Sequence, residues 1–247
     1  WKSFNLVKGI GFDSWRSIGS VLPAIKVYNQ REVDELILVN IDAHLSPDEL
    51  DYESINGFGE HCFVPLTVGG GINNIQQAQK LLRVGADKVS INTAAYKNPN
   101  LISDIAKLHG SQCIVASIDV KSKKNERGWE CYSHAGKKNT GKNIIEWAKE
   151  MEDRGVGEIL LTSIDNDGTL KGYDLKLIET IVNAVKIPVI ASGGAGNYQH
   201  MVDVVKKCGA NAVAAASMFH FTEQTPLGAK AAMEKAKIPV RKSFHNV

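Results

Sequence analysis

The sequence predicts an α/β protein of the (β/α)8, or TIM, barrel class, built from two similar halves. Apolar segments of strand length alternate seven times with segments whose apolar residues recur at helical spacing. Stretches that contain these strands recur later in the chain at a nearly constant offset. The strands end in small, hydroxyl-bearing or acidic residues, as expected where the open end of a parallel barrel carries its chemistry.

The repeat covers three consecutive strand regions, which recur in the same order. The matched pairs are 35–42 with 158–165, 65–71 with 188–194, and 85–89 with 209–213, at offsets of 123, 123 and 124 residues. Two core strands can look alike by chance, but three ordered matches at nearly one spacing indicate a duplicated half-domain. A period this long, present twice, does not suit a solenoid of short repeats.

The elements as far as residue 119 follow from local pattern. A short strand is predicted at 6–8, in a start that shows little periodicity. The alternation then predicts helix 20–33, strand 35–41, a weak helix at 48–55, strand 63–68, helix 74–84, strand 87–91, helix 99–108 and strand 112–119. Gly85 and Gly110 mark the ends of the two helices that precede them.

A polar excursion follows at 121–141, and 129–132 within it is predicted to pair as a hairpin. The chain after the excursion is predicted as helix 143–154, strand 158–164, helix 174–185, strand 187–191, helix 197–207, strand 211–216 and helix 225–235. The repeat requires one further strand before residue 35, mostly upstream of Trp1. Eight strands complete a barrel, expected as a single domain over 1–247. A doubly wound sheet is the alternative, but it leaves the half-repeat unexplained.

Composition limits the function classes. The chain has 247 residues, 43% of them hydrophobic, and a formal net charge of +2 with interspersed charges, so nothing indicates a nucleic-acid or membrane partner. Four cysteines without CxxC spacing are expected as free thiols in a reducing cytoplasm. No membrane-length apolar run and no signal peptide is present. Because the sequence starts at Trp1 without Met, we expect the natural N-terminus upstream.

Two strand-end regions predict phosphate sites. One lies at the last two strands, where barrels usually bind phosphate, and the repeat supplies the other. The two sets are Gly193, Gly194, Ala216 and Ser217, and their equivalents Gly70, Gly71, Asn92 and Thr93. Glycine lets backbone N–H groups approach an oxyanion closely, so a substrate with a phosphate at each end is predicted. Each glycine pair also fits a plain tight turn.

Two carboxylates are candidates for acid–base chemistry. Asp119 follows an apolar strand and is expected to point into the barrel mouth, where burial can move its pKa towards neutrality. It could instead cap a helix or pair with a lysine, although a loop is predicted to follow. Asp167 is the second candidate, in an Asp-Asn-Asp-Gly-Thr segment that also suits a turn. Its neighbours Asp165, Gly168 and Thr169 are expected to contact the substrate.

A third set lies at the opposite end of the strands. Glu35, Lys88 and Glu158 stand at N-terminal strand ends, a face that usually serves stability. Charges there need partners, so one interpretation is an ion-pair ring and the other is a gate. The seven histidines are scattered without HxH or HExxH spacing, and we predict neither a metal site nor a cofactor.

Together these segments resemble the cyclase subunit of imidazole glycerol phosphate synthase, an enzyme of histidine biosynthesis, over essentially the whole chain. The motifs that carry the resemblance are VGGGI (68–72), GADKVSINTAA (85–95), GKKNTG (136–141), GEILLTSIDNDGT with GYD (157–174), ASGGAG (191–196) and AAASMFHF (214–221). In combination these motifs are highly specific.

The resemblance implies a glutamine amidotransferase pair. A separate glutaminase docks on the N-terminal face of the barrel and releases ammonia, which crosses the barrel and attacks a bis-phosphorylated ribonucleotide. The products are imidazole glycerol phosphate and an aminoimidazole carboxamide ribotide. By position, Asp119 matches a catalytic aspartate, Asp167 a supporting acid and Lys8 a lysine near the substrate. The residues that match the family's charged ammonia gate are Glu35, Lys88 and Glu158.

Some positions depart from that family's pattern. A second catalytic aspartate and a fourth gate residue, an arginine, would lie upstream of Trp1. Asn40 stands where the family has an aspartate, Asp42-Ala43-His44 replaces a small polar triplet, and 20–34 lacks a Gly-Asp-Pro start. With the segment 221–227, these features resemble paralogues of surface-polysaccharide clusters that pass ammonia to a sugar nucleotide. That activity is one alternative, and a barrel that binds phosphate without turnover is another.

Overall fold

A computed structural model describes residues 1–2, 5–43, 50–124 and 126–242. Its first half contains strands β1 (Asn5–Ile10), β2 (Asp13–Ser20), β3 (Leu36–Val39), β4 (Leu66–Gly69), β5 (Lys88–Ile91) and β6 (Ile114–Ser122), and helices α1 (Val21–Gln30), α2 (Tyr52–His61), α3 (Ile75–Arg83), α4 (Thr93–Lys97) and α5 (Asn100–His109). The second half contains β7 (Trp129–Ser133), β8 (Lys138–Asn143), β9 (Glu158–Ser163), β10 (Val189–Ser192) and β11 (Ala212–Val213), with helices α6 (Ile144–Asp153), α7 (Leu175–Val182), α8 (Tyr198–Cys208), α9 (Ser217–Phe221) and α10 (Pro226–Lys235).

Seven strands of the described chain form one parallel sheet, with helices between successive strands. From edge to edge the order is β3, β4, β5, β6, β9, β10 and β11. The main chain of Trp1 pairs with Val39 and Ile41 on the outer edge of β3. This order and alternation are those of a (β/α)8 barrel, so the predicted fold class is confirmed. The expectation of a single domain stays a prediction.

Two antiparallel hairpins are added to the barrel strands. The first is β1–β2, where we had predicted only a short strand at 6–8. The second is β7–β8, whose first strand also pairs with β6, so the predicted hairpin at 129–132 is confirmed. Pairing with β7 carries β6 on to Ser122, and the predicted strand end at Asp119 was therefore wrong.

The remaining differences concern short or polar segments. Helix α2 begins at Tyr52, because the Asp51 side chain accepts a hydrogen bond from the Ser54 N–H and caps it there. The predicted start at 48, like His44, lies outside the described residues. Helices α4 and α9 were missed, since five residues are too few to show a helical period. No helix in the described ranges is long and apolar enough to cross a membrane.

The barrel interior is layered, because alternate residues of each strand point inwards. In the register of β6 with β9, Val115 lies beside Glu158 and Asp119 beside Thr162, while Leu160 falls between them. Five aliphatic side chains fill the middle layer, four from strands and Ala214 from just after β11: Ile37, Val115, Leu160, Ile190 and Ala214. Inward-facing residues therefore change from charged at the N-terminal end, through aliphatic, to polar at the mouth.

A second and larger core lies between the sheet and its helices. Trp147 of α6 is 1% exposed and stacks on Tyr96, with ring centroids 4.4 Å apart. The other large side chains of this layer are almost wholly buried as well. Helix packing against the outside of the sheet therefore fixes where each strand end is held.

We predict that Trp147→Ala lowers the free energy of unfolding by about 3–5 kcal/mol, because it leaves a cavity under α6. Ile145→Ala, on the same helix but 37% exposed, should cost less than about 1 kcal/mol. Urea unfolding of the two variants measures both values. Equal losses would contradict the assignment of Trp147 to the core.

Candidate active site

Asp119 is a buried carboxylate at the barrel mouth. Its side chain is 7% exposed, and its Oδ2 accepts a 2.6 Å hydrogen bond from Asn92 Nδ2. Burial raises the pKa of Asp119 to about 7; hydrogen bonds, led by that of Asn92, oppose the shift, and the charge of Asp167 adds to it. Both protonation states are therefore populated near neutral pH, as acid–base chemistry requires.

Lys8 and Asp167 form an ion pair across the mouth. Lys8 Nζ lies 2.5 Å from Asp167 Oδ2, and the two side chains are only 14% and 11% exposed. The Gly11 N–H donates to the Asp167 carbonyl oxygen at 2.9 Å. The β1–β2 hairpin is thus docked on the loop that follows β9, and it brings a cation beside the buried acids.

The first glycine of each predicted phosphate set occupies the same backbone position. Gly70 and Gly193 have φ angles of +95° and +90°. A Cβ on Gly70 would lie 2.1 Å from the Asn40 carbonyl oxygen, and one on Gly193 would lie 2.5 Å from that of Ser163, its repeat equivalent. Chain packing alone requires glycine here, so these glycines fit the turn interpretation and leave phosphate binding a prediction.

The second glycines are equally constrained. Gly71 has φ +79°, and its Cβ would lie 2.6 Å from that of Ala43. Gly194 has φ +106°, and its Cβ would lie 2.0 Å from the Gly172 carbonyl oxygen. The two turns therefore hold their backbones in matching shapes on opposite halves of the sheet.

The hydroxyl residues of the two sets begin short helices. Thr93 starts α4 after Asn92 (φ −122°, ψ −86°), and Ser217 starts α9 after Ala216 (φ −130°, ψ −60°). The Thr93 hydroxyl accepts a 3.0 Å hydrogen bond from the His134 N–H. The buried Ser217 Oγ has no hydrogen-bond partner within the described part of the chain. The two sites share a backbone but differ in whether the hydroxyl is available.

The other predicted substrate residues shape the loop after β9. Asp165 is exposed, and its Oδ2 accepts a 2.7 Å hydrogen bond from the Ser122 N–H at the end of β6. Gly168 lies against the hairpin, since a Cβ there would meet the Gly9 carbonyl oxygen at 2.3 Å. Thr169 Oγ1 donates to the carbonyl oxygen of Asn166. Asp165 thus joins the loop to β6, Gly168 lets it approach the hairpin, and Thr169 stabilises the loop itself.

Sequence reasoning missed one residue close to Asp119. Thr162 of β9 is 5% exposed, lies beside Asp119 in register and forms a hydrogen bond with it. The alternation within 158–164 could have identified it, because Thr162 follows Glu158 and Leu160 at every second position and so faces the same side of the strand. The carboxylate is therefore oriented from both neighbouring strands.

The charged set at the N-terminal end also comes together. Lys88 Nζ lies 2.9 Å from Glu35 Oε2 and 2.6 Å from Glu158 Oε1, and its side chain is 12% exposed. Burial by itself would lower the pKa of Lys88, but the hydrogen bonds and charges of the two glutamates outweigh it and raise the pKa. One lysine thus joins three strands below the aliphatic layer.

The fold, and a buried carboxyl group at the barrel mouth whose pKa is near 7, are those of a (β/α)8-barrel enzyme. A model of the family described as "Histidine biosynthesis protein" matches residues 2–225, and the chain belongs to that family. Two similar curated proteins carry the name imidazole glycerol phosphate synthase subunit HisF and come from two Caulobacter vibrioides strains, NA1000 / CB15N and ATCC 19089 / CIP 103742 / CB 15. Each is 44% identical over 240 residues, which cover 97% of this chain and 92% of the relative.

Asp119→Asn is expected to stabilise the protein at high pH. The pKa of Asp119 is about 7 in the folded state, against an ordinary value of 3.8. Between pH 3.8 and pH 7 the folded state therefore keeps a proton that the unfolded state has lost. Stability therefore falls as pH rises through that window. The free energy of unfolding of the variant should exceed that of the wild type by up to about 4 kcal/mol at pH 8, and the difference should vanish near pH 4.

Urea unfolding at several pH values measures this difference. Asp203→Asn is the matched control, because its partly exposed carboxylate has a lowered pKa, chiefly from the Gln199 and Lys207 hydrogen bonds. That variant should show no gain at pH 8. A pH-independent effect of Asp119→Asn would contradict the raised pKa.

Proposed function

We propose that the chain is the ammonia-using cyclase subunit of imidazole glycerol phosphate synthase. It would convert a bis-phosphorylated ribonucleotide to imidazole glycerol phosphate and an aminoimidazole carboxamide ribotide. The observation that carries the proposal is Asp119, a buried carboxyl with a pKa of about 7 at the mouth of the barrel. The name of the Caulobacter vibrioides relatives, at 44% identity over 97% of this chain, supports the same activity.

In this proposal Asp119 moves protons. Ammonia gains positive charge as its nitrogen bonds to the substrate, and the nitrogen must then lose a proton. The carboxylate form of Asp119 accepts that proton, and the carboxylic acid form gives one to a departing oxygen. A pKa near the working pH keeps both forms available, and Asn92 and Thr162 hold the carboxyl in one orientation.

Lys8 and Asp167 assist this exchange. The charge of Asp167 contributes to the raised pKa of Asp119. Lys8, held against Asp167 by the hairpin, offers positive charge to a substrate oxygen at the mouth. The hairpin would also limit the access of water, which strengthens electrostatic interactions inside the site.

The two glycine turns would bind the phosphates at the ends of the substrate. Their support is the matched backbone of Gly70 with Gly193, and of the helix starts at Thr93 and Ser217. Backbone N–H groups in such turns suit phosphate oxygens. The buried and unpartnered Ser217 hydroxyl supports the same role, because a phosphate oxygen would satisfy it. Asp165, Gly168 and Thr169 would border the substrate between the two turns.

We assign the N-terminal face of the barrel to the glutaminase partner, with which the chain would form a heterodimer. The support is the cluster of Lys88 with two glutamates, beneath an interior that becomes polar towards Asp119. Ammonia would enter at this cluster, which opens when Lys88 leaves one of its partners. The free state of all four cysteines accords with a cytoplasmic location.

One observation favours a second candidate. Asn40 stands where the family has an aspartate, and its Oδ1 accepts a hydrogen bond from the Asp42 N–H within the turn after β3. A neutral side chain there agrees with the paralogues that pass ammonia to a sugar nucleotide. The barrel and the glutaminase would be shared by both activities, and only the acceptor would differ.

The deciding experiment is turnover of the bis-phosphorylated ribonucleotide by the full-length subunit with an ammonium salt. Formation of imidazole glycerol phosphate would establish the reaction without the partner. Binding of the substrate without turnover would reject the cyclase activity and favour the sugar acceptor or a non-catalytic barrel.

Asp119→Asn should abolish ammonia-dependent turnover, by at least about 100-fold, while the affinity for the bis-phosphate changes little. Steady-state kinetics and calorimetric titration of the same preparation measure the two effects. Asp203→Asn, remote on α8, should behave as the wild type. A wild-type rate in Asp119→Asn would remove this carboxylate from the mechanism.

A further inference from the structure

Two exposed apolar side chains lie at the N-terminal end of the barrel, the end that carries the charged cluster. Phe63 is 80% exposed, the highest value among the large hydrophobic residues that the structure describes, and Leu108 is 55% exposed. Phe63 lies in the segment that leads into β4, and Leu108 near the end of α5, before β6. These strands flank β5 on both sides, and β5 begins with Lys88. An apolar rim therefore borders the charged cluster.

The segment that carries Phe63 is held firmly. The Phe63 N–H donates to Asn29 Oδ1 at 3.3 Å, and Asn29 Nδ2 donates to the His61 carbonyl oxygen at 2.6 Å. Cys62 Sγ donates to the Val64 carbonyl oxygen at 3.2 Å. The backbone that presents the ring is therefore already ordered before a partner binds, which lowers the entropy cost of using Phe63 as an anchor.

A hollow beside Phe63 indicates the chemistry of its partner. The hollow has a volume of about 220 Å³. Three cationic residues line it, Lys230, Arg241 and Lys242, together with Glu32. Lys230 pairs with Asp34 at 2.7 Å, so a small excess of positive charge is left. A partner surface that pairs an apolar pocket with acidic residues would match this environment.

The repeat shows that the apolar rim belongs to the first half only. Phe63 lies two residues before Pro65, and its equivalent before Pro188 is Lys186. Lys186 is exposed, and its N–H donates to Glu152 Oε1 at 2.7 Å. The same backbone position thus presents an aromatic ring in one half and a charge in the other. A partner that needs an apolar contact has reason to sit over the first half.

We infer that Phe63, with Leu108 on the other side of β5, anchors the glutaminase subunit off-centre, over the β4–β6 side of the N-terminal face. The inference takes the nature of the partner from the proposed function. The apolar contact would seal the entrance at Lys88 against water while ammonia passes. The glutaminase surface that covers it carries an apolar pocket bordered by carboxylates.

Calorimetric titration of the full chain with the glutaminase subunit of the same organism tests this inference. Phe63→Ala should weaken the Kd by about tenfold or more, as expected for an aromatic anchor. Lys186→Ala, the repeat-equivalent control, should stay within about twofold of the wild type. Turnover with an ammonium salt should be unchanged in both variants, since neither residue lies near the mouth.

Three results would overturn the inference. They are a Phe63→Ala affinity within twofold of the wild type, an equal loss in Lys186→Ala, and no binding of the glutaminase by the wild type. Failure of the proposed function is seen separately, as absence of bis-phosphate turnover by the wild type with ammonium salt. In that case the comparison of Phe63→Ala with Lys186→Ala still decides whether this surface holds a glutaminase.

Discussion

The desolvation of one carboxyl group governs the chemistry of this barrel. Asp119 lies inside a sheet whose neighbouring strands supply Asn92 and Thr162 to its side chain. Burial raises its pKa to about 7 and thereby costs stability at neutral pH. The parallel sheet, the outer layer of helices and the hairpin bound through Lys8 all exclude water from this group. The rest of the structure can be understood as the scaffold that keeps this carboxyl buried yet reachable from the mouth.

Duplication explains why the two halves of that scaffold share a backbone, and divergence explains why their side chains differ. Gly70 and Gly193 approach equivalent carbonyl oxygens, so both halves retain the same turn. The side chains around the turns then differ, because backbone packing restricts the glycines but leaves neighbouring positions open to change. At the opposite end the aromatic Phe63 corresponds to the charged Lys186. A nearly symmetric fold thus carries two matching glycine turns whose surrounding side chains differ.

The interior joins the two ends through layers of different polarity. At the bottom, the carboxylates of Glu35 and Glu158 compensate the charge of the buried Lys88, whose desolvation would otherwise be unfavourable. The aliphatic layer above it holds the strands together, and polar side chains follow towards Asp119. In the proposed function, ammonia would have to cross this aliphatic layer. A neutral molecule would do so at a smaller desolvation cost than an ion.

The sequence alone determined the strand order, the repeat, the glycine turns and the candidates Asp119 and Lys88, because period, offset and strand ends are local features of the chain. Its resemblance to a family added Lys8. Only the tertiary structure decided the rest. The extension of β6 past Asp119 depends on pairing with β7, and α4 and α9 are too short to show a period. The contact of Lys8 with Asp167 joins residues 159 positions apart, and the pKa of Asp119 is set by burial. Both depend on neighbours that only the folded chain brings together.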